Sequence, residues 1–401
     1  MRVLLVSSRY PWPPWRGNQL RTLQWLDALV DDQRLLICPA SSADDPPLET
    51  GVEFRRLPMG RMASTMGLAA AVLKGRPAQE GLYATASARR DLIEAVDDWR
   101  PDVAVIQMVR CGWAADAIRE FMPDLPLVFD AIDCMALHYG RGAASAHPLA
   151  RWMVRSEAER CRLREGRLVR SAAVTTSVSG RDLRALGAGS RGVVIPVTGG
   201  TLVLGSAGSA DRPTVLLSGN LGYRPTVRAA LWFADRVWPK VRDRSPSATW
   251  VLAGARPAKG VQRLARRPGI EVHGDVDDLG CFLGRATVAV APMASGSGVP
   301  IKILEALAAG VPVVADPWSA DGLEDPGAVM VADGETAWID GLSRMLGDPA
   351  AAREQAARGT SAWRTHYEPD RIRIGIRNAV ESAVSRIGEP PELISETPDD
   401  D

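Results

Sequence analysis

The chain has 401 residues, 46% hydrophobic and 24% charged, with 48 Lys and Arg against 48 Asp and Glu. This is an ordinary globular composition with room for two or three domains, neither disordered nor fibrous. Zero net charge argues against a dedicated nucleic-acid binder, which carries a basic surplus.

The opening run RVLLVSS (2–8) predicts a buried strand, and GNQLRTLQWLDALV (17–30) a helix with Leu20, Leu23, Leu26 and Val30 on one face. RLLIC (34–38), VEFRRL (52–57), DVAVI (102–106), PLVFD (126–130), AAVTTS (172–177) and GVVIP (192–196) predict further strands. Helices are expected over 61–74, 85–99 and 112–121. The Arg-rich run 151–170 reads as a salt-bridged solvated helix, with a membrane-surface role as the sharper alternative. The Gly/Ser-rich TGGTLVLGSAGSADR (198–212) reads as a linker.

The alternation then restarts. Strands are predicted at 213–219, 248–254, 269–274, 286–292 and 311–315, and helices at 227–241, 277–284, 301–309, 335–347 and 350–364. Apolar runs of this length, separated by helices, suit parallel sheets covered on both faces. The expected fold is α/β, with two doubly wound Rossmann-like domains over 1–197 and 213–369. A helix (370–388) and an acidic disordered tail (389–401) follow. The tail EPPELISETPDDD holds six acids and no base, so the rest of the chain carries +6.

The longest apolar stretches, 67–73 and 287–294, fall far below the ~20 residues of a spanning helix. The four-residue apolar run at the N-terminus reads as a strand, not a signal-peptide core. Five cysteines without CxxC spacing read as small core residues in a reducing compartment. A cytoplasmic protein is the expectation, with peripheral contact at the inner membrane face as an extension of it.

In open parallel sheets, ligands bind beyond the carboxyl ends of strands. Two loops stand out there. SRYPWPPWRGNQLR (8–21) places Gly17 at a helix start, where free N–H groups receive an anion, and it lacks the G-x-G-x-x-G of dinucleotide sites. APMASGSGVPIKILEALAAGVPVV (291–314) is the more informative. Gly296, Ser297 and Gly298 let a ligand approach the backbone, a helix starts near Pro300, and Lys302 adds a positive charge beside its N-terminus. Glu305, one turn inside, suits two vicinal hydroxyls such as those of a ribose. Together they describe a nucleotide site; the plainer reading is a capped helix with a solvated lysine and glutamate.

At these residues the sequence resembles retaining glycosyltransferases of family 4 (glycosyl transferases group 1), which have the GT-B fold, two Rossmann-like domains facing each other across a cleft. The run GVPIKILEALAAGVPVVA resembles their donor signature, and similarity extends over roughly residues 1–370. The resemblance implies transfer of a sugar from a nucleotide-sugar donor to an acceptor hydroxyl, with retention and without a metal or other cofactor. Glu305 would bind the donor ribose, and Ser297, Gly298, Val299, Pro300 and Ile301 the diphosphate. Gly17 and Asn18 would face the phosphates from the other domain, and Val276 would lie near the base. Lys302, with Arg224 or Arg110, would neutralise the leaving group, and Asn220 holds a position in the loop after the first C-terminal strand. Trp15 and Asp133 fall on the acceptor side, the acceptor being a sugar, a lipid-linked sugar or a natural product.

The chain departs from the family pattern at several points. Ser297 stands where many members have a glutamate, and Asn220 and Arg224 stand in for an Arg/Lys pair. Gln107 and Met108 replace a histidine. These departures leave open a non-catalytic sugar-nucleotide or partner-binding member, and an epimerase of similar architecture is the other alternative. Asp275-Val-Asp277 has the form of a metal-binding DxD, but Asp277 or Asp278 is expected to cap a helix instead, and no metal site is expected.

Overall fold

The computed structural model describes residues 1–14, 16–39, 51–144, 147–198, 212–293 and 298–386. The chain divides into two compact units: Met1–Ile195 with Ile372 onward, and Pro196–Arg371.

The first unit holds a seven-stranded sheet. Its strands are β1 (Arg2–Val6), β2 (Gln33–Cys38), β3 (Val52–Arg56), β4 (Val103–Gln107), β5 (Leu127–Ile132), β6 (Val174–Ser177) and β7 (Gly192–Val194). They lie in the order β3-β2-β1-β4-β5-β6-β7, and every neighbouring pair is parallel. Val3–Val6 of β1 and all of β4 are buried, which explains apolar runs without polar alternation. From β1 the chain winds outward through β2 and β3, then returns to the other side of β1 at β4. The carboxyl ends of β1 and β4 therefore form a topological switch point, where open parallel sheets bind ligands.

The helix Gly17–Ala28 buries Arg21, Thr22, Trp25 and Leu26, whereas Leu20 and Leu23 are only half-buried and Val30 is exposed. The predicted leucine stripe is displaced by a polar requirement. Arg21 and Asp130 form a fully buried ion pair at 2.9 Å. Arg21 also donates to the Ile195 carbonyl, while Asp130 accepts from Thr176 Oγ1 and Gln107 Nε2. Asp130 is thus an interior group. The Arg-rich helix spans Pro148–Ser171 and is not wholly solvated. Arg164 is buried against Glu80 and Asp116 at 2.8 and 2.9 Å. Glu165 accepts the N–H groups of Met135 and Ala136 at the start of the helix Met135–Ala144, and burial lifts its pKa to about 7.

The helix Pro369–Ser385 belongs to this unit. Its Ile372, Ile376, Ala379, Val380 and Ala383 share one core cluster with Val3, Leu5 and Trp25.

The second unit holds β8 (Thr214–Ser218), β9 (Thr249–Gly254), β10 (Ile270–Gly274), β11 (Val288–Ala291), β12 (Val313–Ala315) and β13 (Met330–Val331). All pairs are parallel, in the order β10-β9-β8-β11-β12-β13, so its switch point lies between β8 and β11. Apolar clusters cover both faces, one around Phe233, Trp250 and Trp338, the other around Leu304, Leu307 and Tyr367. The predicted helix 227–241 is two helices, Arg224–Arg236 and Trp238–Arg244. Pro239 lacks the N–H that a continuous helix needs, and its ring crowds the preceding turn. Four cysteines are buried, but Cys281 is exposed. Among the described residues, no helix is long and apolar enough to cross a membrane.

Candidate functional site

The second unit places Lys302 and Glu305 on the helix that follows β11, at the β8/β11 switch point. The helix Ile301–Ala308 starts after Gly298, whose φ is +68°, with Pro300 as its N-cap rather than its first helical residue. Pro300 itself supplies no side-chain cap. Among the described residues the first N–H groups of the helix therefore lack the partner that a Ser or Asp at the N-cap would supply. Val299 packs against the core beneath, and Ile303 and Leu304 anchor the helix by burial.

Lys302 extends from the first turn across the strand ends. A Cβ placed on Gly219, just past β8, would lie 3.5 Å from Lys302 Cε, and Nζ is 3.7 Å from Met293 Sδ, just past β11. Among the described residues the ammonium has no carboxylate within ion-pair distance. Burial pulls its pKa down to about 8, with Glu305 acting in the opposite direction. Glu305 is half-buried, and no hydrogen bond to its carboxylate is seen among the described residues. Burial pushes its pKa up to about 6, opposed by Lys302. Two half-buried charges that make no ion pair among the described residues are costly to keep unless a ligand uses them.

The floor of this site depends on two glycines. Gly219 and Gly254 have φ of +111° and +148°, and a Cβ on Gly254 would fall 1.8 Å from the Gly219 carbonyl oxygen. Asn220 Oδ1 accepts the Gly222 N–H and so shapes the loop after β8. Arg224 opens the following helix, exposed, and its side chain makes no ion pair among the described residues. Val276 is half-buried in the loop after β10. There the Asp275 carboxylate accepts the Arg256 N–H at 2.7 Å, and Asp278 accepts the Gly280 N–H. Both carboxylates are occupied in shaping the loop. Ser297 lies outside the described residues, as do Gly296 and Trp15.

The first unit presents a second group at the β1/β4 switch point. Gly17 and Asn18 begin the helix that follows β1, again without a side-chain cap. Arg110 lies in the turn Val109–Cys111 after β4, set up by Met108 at φ +65°, and its Nε donates to Gln79 Oε1. Sequence reasoning missed Arg9, Arg16 and Tyr83. Arg9 and Arg16 do flank the Pro/Trp loop already singled out, but Tyr83 comes from a segment without any such signal. Asp133 is half-buried after β5, where it precedes the helix Met135–Ala144.

The family model described as Glycosyl transferases group 1 matches residues 212–348. No curated protein matches the chain by sequence. Among solved structures, sucrose-phosphate synthase from Thermosynechococcus elongatus is similar at 16% identity, over 96% of this chain and 99% of that one, with a TM-score of 0.71. Anabaena HepE in complex with UDP-glucose is 14% identical over 95% and 100% of the two chains, with a TM-score of 0.67. WaaG, a glycosyltransferase involved in lipopolysaccharide biosynthesis, is 13% identical over 96% and 100%, with a TM-score of 0.62. The two parallel sheets are those of the GT-B fold. Residues 212–348 thus resemble glycosyl transferases group 1, in a chain of the GT-B fold.

Proposed function

We propose that the protein transfers a sugar from a nucleotide-sugar donor to an acceptor hydroxyl. The observation that carries this is the Lys302–Glu305 pair, which among the described residues makes no ion pair, at the N-terminal half of a helix beside a switch point. In this reading the Glu305 carboxylate accepts hydrogen bonds from the two ribose hydroxyls. The diphosphate lies against the helix N-terminus and Lys302. As the acceptor hydroxyl attacks the anomeric carbon and the glycosidic bond to phosphate breaks, negative charge grows on the leaving diphosphate. Lys302 and the helix N-terminus stabilise that charge, and Arg224 adds to the field. The chemistry then needs no metal or other cofactor, and the resemblance to family 4 favours retention.

UDP is the first nucleotide to test, because solved relatives such as Anabaena HepE carry UDP-glucose. A thermal-shift series with UDP, GDP, dTDP and their sugars should raise the melting temperature with one base preferred, since a ligand of the folded state stabilises it by mass action. Failure of every nucleotide would end the reading. Turnover that survives a chelator would support metal independence, and the anomer formed reports retention.

A lipid-linked acceptor is favoured by exposed apolar side chains on two helices of the first unit. The helix Arg61–Leu73 touches its unit mainly through Gly67 and Ala71 and leaves Met62, Met66, Leu68 and Leu73 in solvent. Trp152 and Met153 are 75% and 64% exposed, with Arg155 exposed beside them. Such residues suit a peripheral membrane contact. Loss of liposome co-sedimentation in Met66→Ser/Leu73→Ser is the expected result.

A further inference from the structure

We propose that Gly322 and Tyr367 are positioning residues for the donor diphosphate. Together they fix where the backbone at Gly298 and Val299 lies, and so where the helix Ile301–Ala308 aims its first N–H groups. The inference deepens the transferase reading and rests on it for the word donor.

The segment that joins β12 to β13 is fastened at both ends. At its start the Asp316 N–H donates to the carbonyl of Ala291, the last residue of β11, at 3.4 Å. The buried Asp316 carboxylate accepts the Ser319 N–H and hydroxyl at 3.0 and 3.1 Å, which caps the short helix Pro317–Ala320. At its end the fully buried Tyr367 hydroxyl accepts the Glu324 N–H at 2.8 Å. Tyr367 is the C-cap of the helix Pro349–His366, so that helix anchors the turn at 321–324. Between the two fastenings, buried Gly322 lies against the backbone from which the donor helix starts. A Cβ on Gly322 would stand 2.6 Å from the Gly298 carbonyl oxygen and 3.5 Å from Val299 Cγ2. The φ of Gly322 is not in the left-handed region, so the close approach to Gly298, rather than its own dihedral, is what calls for glycine. Ala320 and Leu323 belong to the apolar cluster against which Val299 packs. The irregular backbone at 298–300 has no ladder of its own to hold it, and a binding loop is only as precise as the packing that supports it. A hydrogen bond weakens steeply as its angle closes, so a small shift at Gly298 would spoil the aim of the N–H groups that follow.

The test uses the full chain, unmodified and as Gly322→Ala and Tyr367→Phe, and measures UDP by calorimetry and uridine by ligand-observed NMR. Uridine offers Glu305 the same ribose but brings no phosphate, so it separates a lost aim at the helix start from general damage. Gly322→Ala should weaken UDP about tenfold and Tyr367→Phe about threefold, with uridine affinity unchanged in both. Tyr367→Phe removes one hydroxyl and keeps the ring, so it carries the test if Gly322→Ala fails to fold. An equal loss of UDP and uridine overturns the proposal, because the two residues then serve the fold alone. UDP affinity unchanged in the folded variants also overturns it, and leaves the transferase standing. An unmodified chain that binds neither ligand overturns the transferase reading, and the diphosphate role falls with it.

Discussion

Lys302 and Glu305 stand one helical turn apart and oppose the same burial, each holding the other nearer its charged form. Glu305 must be ionised to accept hydroxyl hydrogen bonds, and Lys302 protonated to face a diphosphate. Nucleotide affinity should therefore peak between about pH 6 and about 8, falling on the acid side as Glu305 gains a proton and on the alkaline side as Lys302 loses one. Glu305→Gln should abolish the acid limb. Because Glu305 raises the lysine pKa, the same change should move the alkaline limb to lower pH. Calorimetric titration of UDP across this range checks both, and an unaltered acid limb would assign it to another group.

The two residues should also separate kinetically. Glu305→Ala should weaken the nucleotide roughly 10- to 100-fold, the loss of charge-assisted hydrogen bonds. Lys302→Ala should lower kcat by more than it weakens nucleoside binding, because its charge meets one that grows only as the bond breaks. A normal rate in that variant removes the lysine from the chemistry.

Gly254→Ala should harm both fold and site. The added methyl would fall 1.8 Å from the Gly219 carbonyl oxygen, and the backbone there has φ +148°. The strand ends must part beneath the Lys302 stem. A loss of about 1–3 kcal/mol, read from the urea midpoint, is expected together with weaker nucleotide binding. A variant of unchanged stability would mean that the two backbones can separate freely.

Truncation before Pro369 should uncouple the units in unfolding experiments. It strips Ile372, Ile376 and Val380 from the first unit, and burying each such side chain contributes about 1.5–3 kcal/mol. Calorimetry should then show the first unit melting early or not at all, while a chain ending after Arg386 keeps its transition.

The sequence announces twelve of the thirteen strands among the described residues, most of them because strands buried on both faces are unbroken apolar runs. β13 has two residues and offers no run to read. Lys302 and Glu305 can be paired from the sequence, since one helical turn fixes their separation. Arg9, Arg16 and Tyr83 cannot, because parallel strands bring together segments some seventy residues apart. Arg21 and Asp130 are hidden for another reason: each looks like a surface residue until its partner is found, 109 positions away. The departure at Ser297 stays where the sequence left it, outside the described residues.

The return of the last helix to the first unit sets an order of events during synthesis. Val3, Leu5 and Trp25 emerge from the ribosome early, yet the Ile372 and Ile376 that close over them come only after all of Pro196–Arg371 has been made. At about 5–20 residues per second that interval is on the order of 10–35 s. For that time an apolar seam on the nascent first unit stays uncovered, and by its end every strand of the second unit, β8 to β13, has been made. The later-made unit is therefore the first able to finish folding.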